Sequence, residues 1–434
     1  MSDFEPIILR NIPDFHNIEV YMKNGGYGAF KKALKMTPEA IIEEVKSSGL
    51  RGRGGACFPT GMKWSFMPQK TDKPKYLCAN GDESEPASFK DREIFEKNPH
   101  QFIEGTLIAC HAMGVKTAYV YIRGEYYPWI VMLQKAIDDA YAKGLIGKNI
   151  MGSGFSTDIF IHRGAGAYIC GEETALLNSI EGKRGMPRFK PPFPANFGLW
   201  GCPTTINNIE TLANIPPIIE KGGEWFSKIG EPKHAGTLLY GLSGHINKPG
   251  IYELPSGTLL TDLIYKYGGG VKDNKAIKMI IPGGSSMPPL TADEIEGLRM
   301  DNEHLKTVNS YIGTGGIVVM NEDTDIVKVI KRITKFYYHE SCGQCTPCRE
   351  GCGWMLKILD RIDKGMGRNE DIELLRDVAN NIEGNTICAF GDAAAWPVKW
   401  AIKKFMPDFE KKVKESVNLP VANKVHALRL AVQE

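Results

Sequence analysis

Between Ser341 and Cys352 the chain reads S-C-G-Q-C-T-P-C-R-E-G-C. Cys342, Cys345 and Cys348 stand two residues apart, a spacing that lets three thiolates converge on one small inorganic body. An iron–sulfur cluster needs a fourth ligand, and two cysteines compete for that place. Cys352 completes the C-x2-C-x2-C-x3-C run of bacterial ferredoxins, although Gly353 stands where that run has proline. Cys388, in N-T-I-C-A-F-G-D, lies forty residues beyond Cys348. Zinc sites usually pair one C-x2-C with another, or with two histidines at a set spacing, and neither pattern is evident here. Three cysteines within seven residues therefore favour a cluster over zinc or unrelated buried thiols.

Upstream, three stretches carry the residue types that hold anionic ligands. In L-R-G-R-G-G-A-C-F-P-T-G-M-K-W, Gly52, Gly54 and Gly55 let backbone N–H groups approach a phosphate or flat ring, and Arg51, Arg53 and Lys63 bring positive charge. The stretch follows a helical pattern and has Cys57 in place of a third glycine, so it is not a dinucleotide fingerprint. Asn80-Gly81-Asp82-Glu83-Ser84-Glu85 is dense in carboxylates and follows the apolar run P-K-Y-L-C-A, the position where open α/β sheets bind ligands. Gly164-Ala165-Gly166-Ala167-Tyr168-Ile169-Cys170-Gly171 joins a strand pattern to a helix opening at Glu172-Glu173, an arrangement suited to phosphate. A basic, proline-stiffened loop follows, with Lys183, Arg184, Arg188, Phe189, Lys190 and Phe193, which suits an anionic aromatic ligand. Taken singly, each stretch is also ordinary loop or surface chemistry.

The elements that must position these residues follow from periodicity. Thr37-Pro38 caps a helix with Ile41, Ile42 and Val45 on its apolar face. Strands over Pro74–Ala79, Thr117–Arg123 and Thr157–Arg163 alternate with helices over Asp91–Ala112 and Tyr127–Ala142, predicting a largely parallel sheet. After Gly230 come a hairpin (Thr237–Gly244 and Ile251–Leu254), a helix over Leu259–Tyr267 and a strand over Ala276–Ile281, the pattern of a small β-grasp domain. From Asp323 only helical spacing remains: Ile326–Tyr338, Met355–Lys364, Ile372–Ile382 and Ala393–Phe405 predict a bundle, with the cysteines in its first connection. At 434 residues the chain is long enough for about three domains on a prior of roughly 150 residues each. A net charge of +2 gives no nucleic-acid signal. The sequence offers neither a secretory signal nor a membrane-length apolar run, so a cytoplasmic protein is expected, reaching a membrane only through a partner.

Three segments carry a family resemblance: R-G-R-G-G-A-C-F-P-T-G (Arg51–Gly61), G-A-G-A-Y-I-C-G-E-E-T-A-L-L-N-S (Gly164–Ser179) and E-S-C-G-Q-C-T-P-C-R-E-G (Glu340–Gly351). In order and spacing they resemble the NADH-binding flavoprotein subunits of respiratory NADH:quinone oxidoreductase (complex I) and of related soluble diaphorases. The resemblance implies an N-terminal arm and glycine loop (1–61), an FMN- and NADH-binding Rossmann-like α/β domain (62–229), a ubiquitin-like β-grasp domain of SLBB type (230–324) and a helical bundle with a [4Fe–4S] cluster (325–434). It also implies cluster ligation by Cys342, Cys345, Cys348 and Cys388, with Cys352 a bystander.

By the same resemblance FMN lies against Gly52, Arg53, Gly54, Gly55, Lys63, Asn80, Asp82, Glu83, Tyr168, Gly171, Glu172, Asn207 and Asn208. Phe58, Phe66 and Phe193 surround the adenine of NAD(H), and Glu85, Glu173 and Lys190 make polar contact with the dinucleotide. Lys63, Glu83 and Glu85 are expected nearest the chemistry, a translocase-type NADH dehydrogenase reaction delivering hydride to FMN and single electrons to the cluster. The implied partners are a small thioredoxin-like [2Fe–2S] subunit (E type), a large multi-cluster subunit (G type) and the rest of complex I, placing the protein on the cytoplasmic face of the inner membrane. Two other readings compete: the diaphorase subunit of a soluble NAD-linked hydrogenase or formate dehydrogenase, and a non-redox scaffold with structural zinc. One departure stands out: Cys57 occupies a position that is usually glycine, which predicts a positive φ costing on the order of 1 kcal/mol and a thiol close to the flavin.

Overall fold

The computed structural model describes residues 4–418. Four parallel strands, β1 (Tyr76–Gly81), β2 (Thr117–Ile122), β3 (Asp158–Arg163) and β4 (Thr204–Asn208), form a sheet in the order β3-β2-β1-β4. Their alternation sorts the side chains between two cores. Leu77, Ala79, Ala118 and Val120 join the core under the long helices, whereas Cys78, Tyr121 and Ile206 face the other way. β4 gives no strand signal in the sequence, because T-T-I-N-N offers only one large apolar residue. It is nonetheless what creates a crevice. The chain runs outward from β1 through β2 to β3 and then returns to the opposite side of β1, so the strand order reverses between β1 and β4.

The helix expected over Asp91–Ala112 is two helices, Asp91–Lys97 and Pro99–Met113. Pro99 drives the preceding residue out of the helical region (Asn98 φ −148°, ψ 56°), and the Asn98 side chain caps the second helix by accepting from Gln101 N. Ahead of the sheet, the Pro38–Ser47 helix opens on Thr37, whose Oγ1 accepts from Ala40 N at 3.2 Å, and Gly49 leaves it at φ +67°. The N-terminal arm is held across the molecule by Glu253, whose carboxylate accepts the N–H groups of Ile7, Ile8 and Leu9.

A second, five-stranded sheet contains an antiparallel hairpin, Thr237–Gly244 with Gly250–Pro255. Its central strand, Gly316–Asn321, pairs parallel with Thr237–Gly244 and antiparallel with Ile277–Ile281, giving the β-grasp arrangement. That central strand, absent from the expected elements, has its own signal in the apolar run I-V-V-M between Gly315-Gly316 and Asn321-Glu322-Asp323. The helix expected over Leu259–Tyr267 is present, widened to a π-helix over Asp262–Tyr267.

Five helices complete the described residues: Ile326–Glu340, Thr346–Asp363, Asp371–Ile382, Phe390–Lys404 and Met406–Asn418. The second begins nine residues earlier than expected. Pro347 sits in its first turn, where a missing N–H costs nothing, so the cysteine stretch is only partly a connection. Cys342 lies in the loop, Cys345 at the helix cap, and Cys348 and Cys352 on the helix itself. Residues of this bundle share one apolar cluster with Ile169, Leu176, Leu177 and Leu199, which seats the bundle on the second face of the parallel sheet. The part of the expected bundle beyond residue 418 lies outside the described residues. No helix among the described residues is long and apolar enough to cross a membrane.

Candidate active site

The crevice at the carboxyl ends of β1 and β4 gathers the three stretches singled out by composition. The glycine loop closes on itself through Gly52 N–H to Phe58 O (2.9 Å). It lies flush on β4: a Cβ on Gly54 would stand 3.2 Å from Asn208 Cβ. Asn80, at the end of β1, ties two ligand loops together by donating Nδ2–H to Gly171 O at 2.8 Å and accepting from Asp82 N at 3.1 Å.

A line of charges crosses the mouth. Lys63 Nζ is 3.1 Å from Glu173 Oε2, and Lys190 Nζ is 2.8 Å from Glu173 Oε1 and 3.2 Å from Glu172 Oε1. Burial works against the Glu173 carboxylate, but the two lysines hold it below the usual carboxylate range. The other Glu172 oxygen caps the Glu173–Ile180 helix, accepting from Thr174 N and Ala175 N. Phe58 and Phe66 stand exposed with ring centroids 6.0 Å apart, and Phe193 is exposed on the basic loop. Exposed aromatic rings beside half-exposed lysines are what a flat, anionic ligand recruits.

Other expected residues are committed elsewhere. Arg53 is buried and committed at both ends, its guanidinium donating to Ala235 O at 2.6 Å and its backbone N–H to Thr211 Oγ1 at 2.8 Å. Glu83 is buried too: it caps the Asp91–Lys97 helix, accepting from Lys90 N (2.7 Å) and Asp91 N (3.1 Å), and from Tyr126 Oη (3.0 Å). Asn208 caps the Ile209–Ala213 helix and joins a buried ion network. Its Oδ1 accepts from Lys90 Nζ, its Nδ2 donates to Asp91, and Lys90 pairs in turn with Asp91 and Glu210 at 2.8 Å each. Sequence reasoning missed Lys90, for which an isolated lysine in S-F-K-D-R gave no signal. Asn207 orients Trp64, accepting from its Nε1 at 3.1 Å. Glu85 accepts from Tyr168 Oη at 2.7 Å.

Asp82 is the exception among the buried acids. Its Oδ1 accepts from Ser84, but Oδ2 has no protein partner, and burial pushes the carboxyl up to about 7 despite the nearby Arg123. An orphaned buried oxygen beside Gly171, with Lys63 and a glycine loop packed tightly on β4 at Gly54, fits a ligand such as FMN, which brings ring N–H donors as well as a phosphate. The Cys57 thiol is not there. Its φ is +53°, as the glycine-like position requires, but the side chain is buried in the core of the β-grasp unit, not beside the crevice.

The second centre lies behind the Tyr168–Gly171 segment. Cys342, Cys345, Cys348 and Cys388 line one cavity together with Ile169, Pro187, Ser341 and Phe390. Cys352 does not line it. That residue is fully buried one helical turn beyond Cys348, and its S–H together with the Ser341 hydroxyl draws the Cys348 thiol below the ordinary thiol range. Among the described residues no three Cys, His, Asp or Glu side chains close tightly enough for a single metal ion. Four thiols spaced around a shared cavity fit a multi-atom cluster better than zinc. The basic loop serves both centres: Arg184 donates to Cys342 O at 2.9 Å and Pro187 lines the cavity, while Lys190 reaches the crevice.

Known proteins share this arrangement. The Nuo51 FMN-binding domain family matches residues 45–217, the SLBB domain family residues 239–329, and the NADH-ubiquinone oxidoreductase-F iron-sulfur binding region residues 328–412. Among solved structures, an NAD+-reducing [NiFe]-hydrogenase in its H2-reduced state superposes with a TM-score of 0.82 at 33% identity over 89% of this chain. This chain spans 64% of that hydrogenase chain. The F subunit of NADH-quinone oxidoreductase in Rickettsia bellii is 54% identical over 401 residues, covering 92% of this chain and 96% of its own. Its Rickettsia typhi counterpart is 54% identical over 402 residues, covering 92% and 95%. With that identity over almost the full length of both chains, the protein belongs to the family of NADH-quinone oxidoreductase F subunits.

Proposed function

We propose that the crevice takes NADH over bound FMN and that the four-cysteine cavity holds the [4Fe–4S] cluster through which electrons leave the chain toward quinone. The observation that carries this reading is the adjacency of the two centres across one short segment. Tyr168 bonds Glu85 of the acidic loop, Gly171 O accepts from Asn80 at the crevice, and Ile169 lines the cysteine cavity. FMN supplies the conversion of a two-electron donor into single-electron steps. The chain supplies binding and orientation. Phe58, Phe66 and Phe193 are the stacking surface for the adenine. Lys190 and Glu173 make polar contact with the dinucleotide, and Lys63 presents its ammonium where negative charge develops. Glu83 and Asn208, committed to helix caps, and Glu85, bonded to Tyr168, act by fixing the walls of the site. Cys342, Cys345, Cys348 and Cys388 ligate the cluster, and Cys352 supports Cys348 from behind.

Partners must carry electrons further, since the chain holds one cluster motif. The reading assigns a small thioredoxin-like [2Fe–2S] subunit and a large multi-cluster subunit, with the assembly on the cytoplasmic face of the inner membrane. The hydrogenase likeness keeps a second reading, a diaphorase subunit serving a soluble hydrogenase or formate dehydrogenase. Purification of the native complex tests both: flavin, four irons per cluster and NADH-driven quinone reduction support the first. Hydrogen- or formate-driven NAD+ reduction supports the second, and zinc without iron or flavin would sink both.

A further inference from the structure

The α/β domain, the β-grasp domain and the bundle meet at one hydrogen-bond junction, half-buried at Glu85 and Tyr168 and buried at Ser285 and Tyr337. Its centre is the Glu85 carboxylate. Oε2 accepts from Tyr168 Oη at 2.7 Å, and Oε1 accepts from Ser286 N at 2.8 Å and Ser285 Oγ at 3.3 Å. Ser285 Oγ also lies 3.1 Å from Tyr337 Oη, on the helix that leads into the cysteines. Tyr168 N in turn donates to Glu340 Oε2 at 2.9 Å, near the end of that same helix. The β-grasp loop is pressed against Glu85: a Cβ on Gly284, at φ +98°, would stand 2.6 Å from Glu85 Cγ. Ser285 is 4% exposed and Tyr168, Tyr337 and Phe390 pack ring to ring at 5.5–6.0 Å. Phe390 and Ile169, the neighbour of Tyr168, line the cysteine cavity.

Burying a carboxylate costs several kcal/mol, and well-packed apolar residues commonly join domains at least as firmly. A junction built instead from a carboxylate, two tyrosines and a serine fixes orientation. The loop also supplies two of the three donors that Glu85 accepts. We propose that Ser285 is a positioning residue for electron passage from the crevice to the cysteine cavity: by holding Glu85 and Tyr337 together it fixes Tyr168 between the two centres. This rests on the function proposed above and gives the β-grasp domain a part in the reaction.

The test uses the intact complex with Ser285→Ala, Ser285→Thr and Tyr337→Phe. Tyr337→Phe keeps the ring and stays informative if Ser285→Ala fails to fold. Flavin bleaching by NADH is followed in stopped flow, cluster reduction by freeze-quench EPR, and amide hydrogen exchange over residues 167–172 before any reductant is added. Loss of one hydrogen bond at the junction should slow cluster reduction by about fivefold while flavin bleaching stays within about twofold of wild type. Exchange over 167–172 should rise and the cluster's EPR spectrum should shift, and Ser285→Thr should restore all three. Unchanged cluster reduction, equal slowing of both steps, or a Ser285→Thr variant as impaired as Ser285→Ala would overturn the proposal. Absence of flavin and iron from the wild-type complex would instead overturn the function on which it rests.

Discussion

Asp82 offers the most direct test of the crevice, because its chemistry can be read without turnover. The residue is 9% exposed, one carboxyl oxygen lacks any protein partner, and burial raises the carboxyl from the ordinary 3.8 to about 7. For an acid whose folded value lies above its unfolded value, the folded state prefers the proton. The stability penalty is absent below about 3.8, grows as pH rises, and is complete above about 7. At 1.36 kcal/mol per tenfold change, the full penalty is about 4 kcal/mol. Asp82→Asn removes the ionisable group at nearly constant volume. In the flavin-free protein, its melting temperature should exceed that of wild type by a margin that widens from pH 5 to pH 8, reaching roughly 5 °C at about 1 °C per kcal/mol for a chain of this length. The same variant should hold FMN more weakly, since the oxygen oriented at the ligand becomes half amide. Differential scanning at several pH values, with flavin content measured on the same preparations, decides it. A margin independent of pH would refute the claim that Asp82 is destabilised by its burial, and undiminished flavin retention would refute its aim into the ligand site.

Three further outcomes follow from the same geometry. Lys63→Ala removes a half-exposed ammonium from the mouth and should weaken FMN retention by about tenfold, allowing for solvent screening of the charge, as measured by flavin released on dilution. Cys57→Gly should be more stable to denaturant than Cys57→Ala by about 1 kcal/mol, because alanine keeps the positive φ and glycine relieves it. Both variants should keep their flavin, since the thiol faces the β-grasp core, and the reverse stability order would contradict the strain. Cys388→Ala should lose the cluster and Cys352→Ala should keep it, read as iron and sulfide per chain. Iron retained in the first and lost in the second would move the fourth ligand back to the ferredoxin position.

What was legible in the sequence was the chemistry that clusters along the chain. Glycines, acids and cysteines announce themselves by spacing, and helices such as Pro38–Ser47 by caps and a stripe of Ile41, Ile42 and Val45. β4 was hidden because T-T-I-N-N shows no apolar alternation, whereas Gly316–Asn321 carries a strand signal, the β-branched run I-V-V-M bounded by Gly313-Thr314-Gly315 and Asn321-Glu322-Asp323. β4 is recognised only by the neighbour that pairs with it. The split at Pro99 is written in the sequence itself, since a proline inside a helical pattern reports a boundary. Burial was the least accessible quantity. Nothing in N-G-D-E-S-E says that Glu83 caps a helix, that Asp82 keeps an oxygen free, or that Glu85 reaches serines two hundred residues away.

That difference between composition and burial explains why the acidic loop reads as one feature and behaves as three. Along a chain leaving β1, consecutive side chains diverge toward different neighbours. Asp82 turns toward Gly171 and the crevice, Glu83 toward the helix at Asp91, and Glu85 toward Tyr168 and the β-grasp loop. Three adjacent carboxylates exposed together would repel one another and bind cations. Buried separately, each takes its own set of donors, and two of the three become the walls that hold the third in place. A mutation at Glu83 or Glu85 therefore also moves the backbone that carries Asp82 and Ser84, so flavin loss in such a variant reports the geometry of the loop together with any contact the side chain itself makes.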